Sequence, residues 1–402
     1  MDFLIKFLSV LYILHDVPVI GVNFPSIAYA GVIISLFLLL FFNIKNDFFK
    51  IVLPISIIII LDFFLKSITS DIYALFQRLS GVLQVMIYPM LSMYILKNNQ
   101  LRYAKFVLIL WLLMNFVTCI TTYYGCLQFP GAARYLATGD MRYFTLYNNL
   151  NIGGFSFVYT MVLLTSMVLM VIKKINLINK YKLVYFILAI VYVVNIAFML
   201  SVAEYTTSLL LFVLSFAILF LNKQLKWGRM FMYATLVLVL FVLTKDYIIN
   251  LFLYLSKNIE SYTVSMRLKE LSSFFSGDDI SSKADISKRQ GHYVDSLSLF
   301  FEKPWGIWSF KGLGGHSFIF DALAKYGLVG LICLCASLGC LFNNYVKVYY
   351  NSFYYNFVLL AFLLQIIMLF LNTQFYIVFL TFVMPVFIYV FSSLCKRNIY
   401  QQ

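Results

Sequence analysis

The residues of this chain best suited to chemistry lie in the stretch 288–331, at the end of a long polar connection in an otherwise apolar sequence. Its cationic, flexible and titratable positions include Arg289, Gly312, Gly314, Gly315, His316 and Ser317. The apolar run that follows predicts a helix beginning near His316. A helix N-terminus attracts anions and favours the neutral, proton-accepting form of a histidine. The pattern predicts an anion-and-base site; the alternative is a histidine that only caps an interfacial helix.

Two other places hold polar residues that an apolar chain does not need for packing. Glu204 starts an apolar run, and a carboxylate at membrane depth is expensive and by default functional. Alternatively, Glu204 lies in a first helical turn capped by Ser201, where the helix dipole stabilises it. Arg142 precedes an asparagine-rich stretch whose last member, Asn151, is expected to cap the next helix. That stretch is a possible ligand-facing loop.

The composition sets the class of protein that must position these residues. Of 402 residues, 63% are hydrophobic and 11% charged, whereas globular domains carry about 25% charged residues. Continuous apolar runs of roughly 20 residues recur along the chain, which predicts an all-α, polytopic transmembrane helical bundle rather than a β-barrel. The net charge of +14 sits in short loops between these runs, so a nucleic-acid partner is not expected. None of the six cysteines has metal-ligand spacing.

The apolar runs and the loops between them predict a topology. About twelve spans are expected, near 3–20, 26–42, 48–65, 72–96, 103–122, 152–172, 182–201, 204–221, 230–250, 316–341, 353–371 and 374–394. Alternate loops, with the termini, hold sixteen basic and two acidic residues, whereas 245–315 mixes nine basic with eight acidic. The positive-inside rule then puts both termini in the cytoplasm.

The whole chain, 1–402, is therefore expected to form a single integral membrane domain with two long external connections. The smaller covers 123–151 and the larger, periplasmic in a Gram-negative cell, covers 251–315. The larger connection carries two short amphipathic, helix-like segments, which contain Arg267 and Arg289. Either arginine could bind an anion or simply lie at the membrane surface. No internal repeat is evident, which weighs against inverted-repeat transporters.

The polar stretch also resembles a known family. A loop arginine, a Pro-x-Gly, a glycine-rich turn and a histidine before Leu-x-x-Tyr-Gly-Leu-x-Gly are similar to the signature of bacterial O-antigen polymerases and O-antigen ligases. The matching residues are Arg289, Pro304, Gly306, Gly312, Gly314, Gly315, His316, Ser317, Leu323, Tyr326, Gly327, Leu328 and Gly330, with Arg142 to Asn151 similar to a second family stretch. The chain departs from the family at Ser201, which lacks the usual neighbouring arginine, and at Ser317, where asparagine is common.

This resemblance implies a glycosyltransferase that polymerises undecaprenyl-pyrophosphate-linked repeat units into O-antigen or a related polysaccharide, as in lipopolysaccharide biosynthesis. It would act on the outer face of the bacterial cytoplasmic (inner) membrane, without metal or cofactor. Arg267 and Arg289, helped by Arg142, would hold the pyrophosphate. His316, or less directly Glu204, would orient or deprotonate the acceptor hydroxyl. Supporting positions would be Gly314, Gly315, Ser317 and Asn151.

The implied partners are the lipid-linked glycan donor and acceptor, membrane lipids, a chain-length regulator and a flippase, but no nucleic acid. Three other functions stay open. The first is an O-antigen ligase that transfers finished polymer to lipid A core, and the second is a Gram-positive capsule polymerase. The third, from a different class, is a lipid-linked oligosaccharide flippase or other transporter.

Overall fold

All regular elements in the described part of the chain are helices, which confirms the predicted all-α class. A computed structural model describes residues 2–15, 48–67, 72–135, 150–220, 227–259, 262–276, 285–309, 313, 317–372 and 375–395. The predicted span at 26–42 lies outside these residues.

The helices follow the apolar runs closely. They are α1 (Asp2–His15), α2 (Leu53–Ser67), α3 (Ile72–Lys97), α4 (Leu101–Gln128), α5 (Ala132–Tyr135), α6 (Phe155–Lys173), α7 (Lys182–Val202), α8 (Thr206–Ser215), α9 (Trp227–Asn258), α10 (Tyr262–Ser276), α11 (Asp285–Glu302), α12 (Phe318–Leu341), α13 (Tyr355–Leu371) and α14 (Met384–Leu394). A π turn precedes α14 at Phe379–Val383. Its physical reason is Pro385, which has no N–H for the helical bond and whose ring crowds the preceding turn.

Four helices of the described chain are long and apolar enough to cross a membrane. They are α4, α6, α7 and the helix that starts at Phe318 and continues, through π and 3-10 turns, to Tyr349. Other apolar helices are shorter, among them Thr207–Phe220, Tyr355–Leu371 and Phe379–Leu394. A helix of 17 residues is about 26 Å long, slightly less than the roughly 30 Å of a bilayer core. The structure thus supports a helical membrane protein but not, by itself, the predicted count of about twelve spans.

The predicted external connection 251–315 is largely helical. Helix α9 runs on to Asn258, beyond the predicted span end near 250, and α10 and α11 occupy 262–276 and 285–302. The amphipathic segments expected around Arg267 and Arg289 lie within α10 and α11.

The chain divides into two compact units. The first comprises 1–219, 330–367 and 374–402, and the second comprises 220–329 and 368–373. In the first unit, fourteen of the nineteen residues of α6 are buried but only five of the twenty-one in α7. An equally apolar helix that exposes most of its side chains is expected to face lipid.

Polar side chains join the helices of the first unit. On α7, the Tyr192 hydroxyl donates to the Leu112 carbonyl at 3.0 Å, and Asn195 Nδ2 donates to the Phe116 carbonyl at 3.0 Å. Both acceptors belong to α4. Such hydrogen bonds between helices are a common means of association in membranes, where apolar burial adds little.

Candidate functional site

The predicted site residues fall into three groups. Arg142, Gly314, Gly315 and His316 lie outside the described residues. Arg267 and Arg289 occupy described positions on α10 and α11, but only their backbones are described. Ser317, Glu204 and Asn151 are described with their side chains, Ser317 in the second unit and the other two in the first.

In the second unit, residues 303–309 form a strap across a break in α12. The break is at Gly327, whose φ of 58° and ψ of −137° are not helical. The strap takes over hydrogen bonds that a straight helix would make for itself. Ile307 N donates to the Ala324 carbonyl at 3.1 Å, and Trp308 N donates to the Lys325 carbonyl at 2.9 Å. In return Leu328 N donates to the Pro304 carbonyl at 2.8 Å.

Two glycines allow the strap to approach the helix so closely. A Cβ on Gly327 would lie 2.0 Å from the Pro304 oxygen and 2.5 Å from Gly306 N. A Cβ on Gly306, where φ is 87°, would lie 2.4 Å from the Lys325 oxygen. The contacted atoms are backbone, so they cannot move aside as the end of a side chain could. Above this contact the Trp308 ring packs edge-on against the buried ring of Tyr326 at 5.4 Å.

Ser317, predicted to support His316, is the N-cap of α12. Its buried Oγ accepts a hydrogen bond from Phe320 N at 3.3 Å and donates to the Leu369 carbonyl at 3.3 Å. Phe318 N donates to the Asn372 carbonyl at 2.8 Å, so the end of α13 holds the start of α12.

The first turn of α12 offers an anion fewer donors than predicted. Phe318 N, Phe320 N and Asp321 N are all hydrogen-bonded within the protein. The helix dipole remains, but three of the four first-turn amides are taken.

Helix α11, which carries Arg289, packs against this first turn. Ser296 Oγ donates to Asp321 Oδ1 at 3.2 Å, and both side chains are buried. The Tyr293 ring contacts the Phe320 ring at 5.4 Å. Arg289 is seven residues before Ser296, which is about two helical turns. The α11 backbone therefore brings the Arg289 position to within about two turns of the contact with α12.

In the first unit, Glu204 lies in a tight turn between two helices and not in a helical turn. Helix α7 ends at Val202 and α8 begins at Thr206, with Tyr205 as its N-cap. The expectation that Ser201 caps a helix containing Glu204 is therefore wrong: Ser201 Oγ donates back to the Phe198 carbonyl of α7 at 2.8 Å. Glu204 has a φ of 59°, a conformation that costs a non-glycine residue about 1–3 kcal/mol and that clusters at functional sites.

Aromatic rings and hydroxyls follow the Glu204 turn. The Tyr205 hydroxyl donates to the Ala133 carbonyl at 2.8 Å. The Tyr205 ring contacts Phe155 at 5.4 Å and Tyr159 at 6.0 Å, and Tyr159 stacks on Tyr376 at 6.2 Å. We call Phe155, Tyr159, Tyr205 and Tyr376 the tyrosine cluster.

Two buried polar atoms at the helix ends of this unit have no hydrogen-bond partner in the described structure. They are the Tyr376 hydroxyl and Asn151 Oδ1. The predicted capping role of Asn151 is wrong, because Gly154 is the N-cap of α6 and no side chain caps it. Asn151 instead forms a left-handed turn with φ 51°, and its carbonyl accepts a hydrogen bond from Thr121 Oγ1 at 2.8 Å. An unsatisfied buried polar atom costs about 1–3 kcal/mol, so these two atoms are suited to bind a polar ligand.

Sequence analysis missed the tyrosine cluster, because tyrosine is common throughout this chain and its positions carry no spacing signal. The first unit thus brings Glu204 together with phenol groups that suit a sugar hydroxyl, and the second unit fixes the segment on both sides of His316. Comparison of the chain with protein-family models, with curated proteins and with solved structures found no match.

Proposed function

We propose that this chain is a membrane glycosyltransferase that polymerises undecaprenyl-pyrophosphate-linked repeat units on the outer face of a bacterial cytoplasmic membrane. The observation that carries this proposal is the lock between the strap and α12. Pro304 and Gly306 from one part of the resembling motif hydrogen-bond or closely contact Gly327 and Leu328 from another. A motif whose members are about twenty residues apart in sequence but adjacent in space describes one structural unit. This agreement supports the resemblance independently of the residue types.

Contacts between helix ends support the proposed topology on its outer side. Three hydrogen bonds join chain segments that the sequence assigns to that side: Thr121 Oγ1 to the Asn151 carbonyl, the Tyr205 hydroxyl to the Ala133 carbonyl, and Phe318 N to the Asn372 carbonyl. Helix ends on opposite sides of a bilayer are about 30 Å apart and make no such contacts.

The same agreement holds on the proposed cytoplasmic side. Three further hydrogen bonds join segments assigned there: the Tyr103 hydroxyl to the Lys6 carbonyl, Lys173 Nζ to the Ile218 carbonyl, and Asn179 N to the Leu394 carbonyl. These pairs favour a bundle of about twelve spans with both termini in the cytoplasm and the 251–315 connection outside.

The proposed reaction needs two kinds of group. The acceptor sugar hydroxyl attacks the anomeric carbon of the donor glycan, the bond from that carbon to the pyrophosphate oxygen breaks, and undecaprenyl pyrophosphate leaves. Arg267, Arg289 and Arg142 would hold the charge of the leaving group, which then needs no general acid. The proton of the attacking hydroxyl goes to a base. His316 is the first choice for this base, and the Glu204 carboxylate is the second.

The Glu204 turn and the tyrosine cluster would then help to bind a sugar. Phenol hydroxyls and a carboxylate supply the few placed polar groups that orient a ligand within a largely apolar site. The strain at Glu204 is consistent with such a role.

Reconstitution tests the proposal directly. The purified full-length chain in liposomes is given lipid-linked repeat units, and the products are separated by length. Polymerisation predicts a ladder of lipid-linked products longer than the substrate without addition of lipid A core. His316→Ala should abolish the ladder while the amount of folded protein in the membrane stays unchanged.

The alternatives give other results in this assay. A ligase forms product only when lipid A core is supplied, and a flippase moves substrate across the bilayer without lengthening it. In cells, loss of a polymerase leaves lipid A core capped with single repeat units, whereas loss of a ligase leaves the core uncapped. An unchanged ladder with His316→Ala would remove His316 from the mechanism, and no ladder at all with wild-type protein would refute the proposed polymerase.

A further inference from the structure

A cleft of about 670 Å³ opens at a different end of the first unit. It lies where the end of α3, the start of α4, the turns after α12 and helix α14 meet. Most of its walls are apolar, with Met93, Leu96 and Pro385 among the lining residues. Every segment that forms it belongs to the side that the sequence assigns to the cytoplasm, so the cleft is separate from the residues proposed for glycosyl transfer.

Basic residues surround this apolar cleft. Four lining residues each have an exposed basic neighbour in sequence: Ile51 beside Lys50, Leu96 beside Lys97, Leu101 beside Arg102, and Val348 beside Lys347. None of the described residues at 48–52, 92–102, 344–349 and 385–395 is acidic. The rim therefore carries uncompensated positive charge around an apolar interior.

The polar groups inside the cleft are also those of a membrane interface. Tyr345, Tyr349 and Tyr389 line it, and tyrosine is enriched at the level of lipid headgroups. The exposed Asn99 and Asn344 lie at its edge and provide neutral hydrogen-bond donors. Asn99 has a φ of 50°, a left-handed conformation that asparagine tolerates better than most residues.

We propose that this lysine-rimmed cleft binds an anionic phospholipid, with an acyl chain against its apolar walls and the phosphate among the basic residues. Cationic pockets between transmembrane helices on the cytoplasmic side are typical sites for anionic headgroups. A soluble anion would not need the apolar walls, and a zwitterionic lipid would leave the charge of the rim unbalanced. The proposal does not depend on the proposed glycosyl transfer.

Native mass spectrometry of the purified full-length chain tests this site. Detergent-solubilised protein is titrated with phosphatidylglycerol or, separately, phosphatidylcholine, and the first bound lipid is quantified. We expect tighter retention of phosphatidylglycerol by the wild type. Lys97→Gln with Lys347→Gln should weaken it about thirtyfold, because each basic residue near an anionic lipid contributes about a fivefold factor.

Two variants separate the cleft from general surface charge. Lys180→Gln with Lys182→Gln removes the same charge on the same predicted side, away from the cleft, and should leave phosphatidylglycerol binding within about twofold of wild type. Ser393→Phe keeps every charge but fills space between lining residues, and should weaken binding. Equal retention of the two lipids, equal effects of the two double variants, or displacement of phosphatidylglycerol by millimolar inorganic phosphate would each overturn the proposal.

Discussion

Replacing Gly327 with alanine is the sharpest test of the strap. The new Cβ would lie 2.0 Å from the Pro304 oxygen and 2.5 Å from Gly306 N. The residue also has a φ of 58° with a ψ of −137°, which an L-amino acid rarely adopts. The chain can keep the strap and accept the clash, or it can release the strap and straighten α12.

The magnitudes decide between these two responses. Keeping the strap costs about 1–3 kcal/mol of backbone strain plus about 1–3 kcal/mol for forcing a methyl group into packed atoms. Releasing it loses three hydrogen bonds worth about 0.5–1.5 kcal/mol each and the Trp308–Tyr326 contact. A straight α12 regains helical bonds to the Ala324 and Lys325 carbonyls. Release is therefore the cheaper response, at about 2–3 kcal/mol in total.

Thermal unfolding and limited proteolysis measure this outcome in purified protein. Gly327→Ala should lower the melting temperature by several degrees, given roughly 2–4 °C per kcal/mol for domains of comparable size. Chymotrypsin should cut at Trp305 and Trp308 faster than in wild type once the strap is free. The matched control is Gly339→Ala in the same helix, where a Cβ meets nothing within 4 Å. It should be neutral or stabilising by up to about 1 kcal/mol.

Gly306→Ala and the double variant complete the test. Both glycines serve one contact, so once Gly327→Ala has released the strap, Gly306→Ala should cost little more. The double variant should therefore show a coupling of about 1–3 kcal/mol, as expected for residues in contact. Additive effects, or a Gly327→Ala protein as stable and as protease-resistant as the wild type, would show that the strap is not held in this way.

Three further predictions follow from single sites. Glu204→Gly should raise the melting temperature by relieving a positive φ while lowering polymer synthesis; unchanged synthesis would separate Glu204 from the reaction. Tyr205→Phe should destabilise the protein by about 0.5–1.5 kcal/mol through loss of the 2.8 Å hydrogen bond to Ala133, whereas Tyr376→Phe, which deletes a hydroxyl with no hydrogen-bond partner among the described residues, should be neutral or stabilising; equal losses would contradict this. Burial raises the pKa of the Cys395 thiol to about 11, and because only the thiolate reacts, maleimide labelling of a variant that retains Cys395 as its one cysteine should speed up about tenfold per pH unit from pH 8 to 10, where a plateau near pH 9 would refute the shift.

Apolar run length predicted the helices well, because burial and lipid exposure act on whole segments. The predicted span 182–201 became α7 at Lys182–Val202, and the predicted span 353–371 became α13 at Tyr355–Leu371. Errors arose where one residue interrupts a helix. The predicted span 204–221 starts two residues late, because Glu204 takes a left-handed turn that its residue type does not favour.

The geometry of the candidate site was less predictable. The sequence gives Pro304, Gly306 and Gly327 as members of one motif, but spacing alone does not indicate that Gly306 and Gly327 touch. That contact depends on how α11 and α12 pack, which is a tertiary property. Ser317 was predicted correctly to lie at the helix start, and the structure adds that it also bonds the end of α13. The free amides expected at that helix start are mostly occupied by the protein itself.

Backbone strain provides a criterion that does not use residue type. Five non-glycine residues of the described chain have a positive φ: Asn99, Asn151, Tyr181, Glu204 and Trp308. Asn151, Glu204 and Trp308 lie in the three stretches that polar residue content had already selected in the sequence, and Asn99 lines the lysine-rimmed cleft. Strained residues persist only where the surrounding structure holds them, and such places are enriched in binding and catalytic sites. Two independent signals, one chemical and one conformational, therefore select the same few turns in a chain that is otherwise continuous apolar helix.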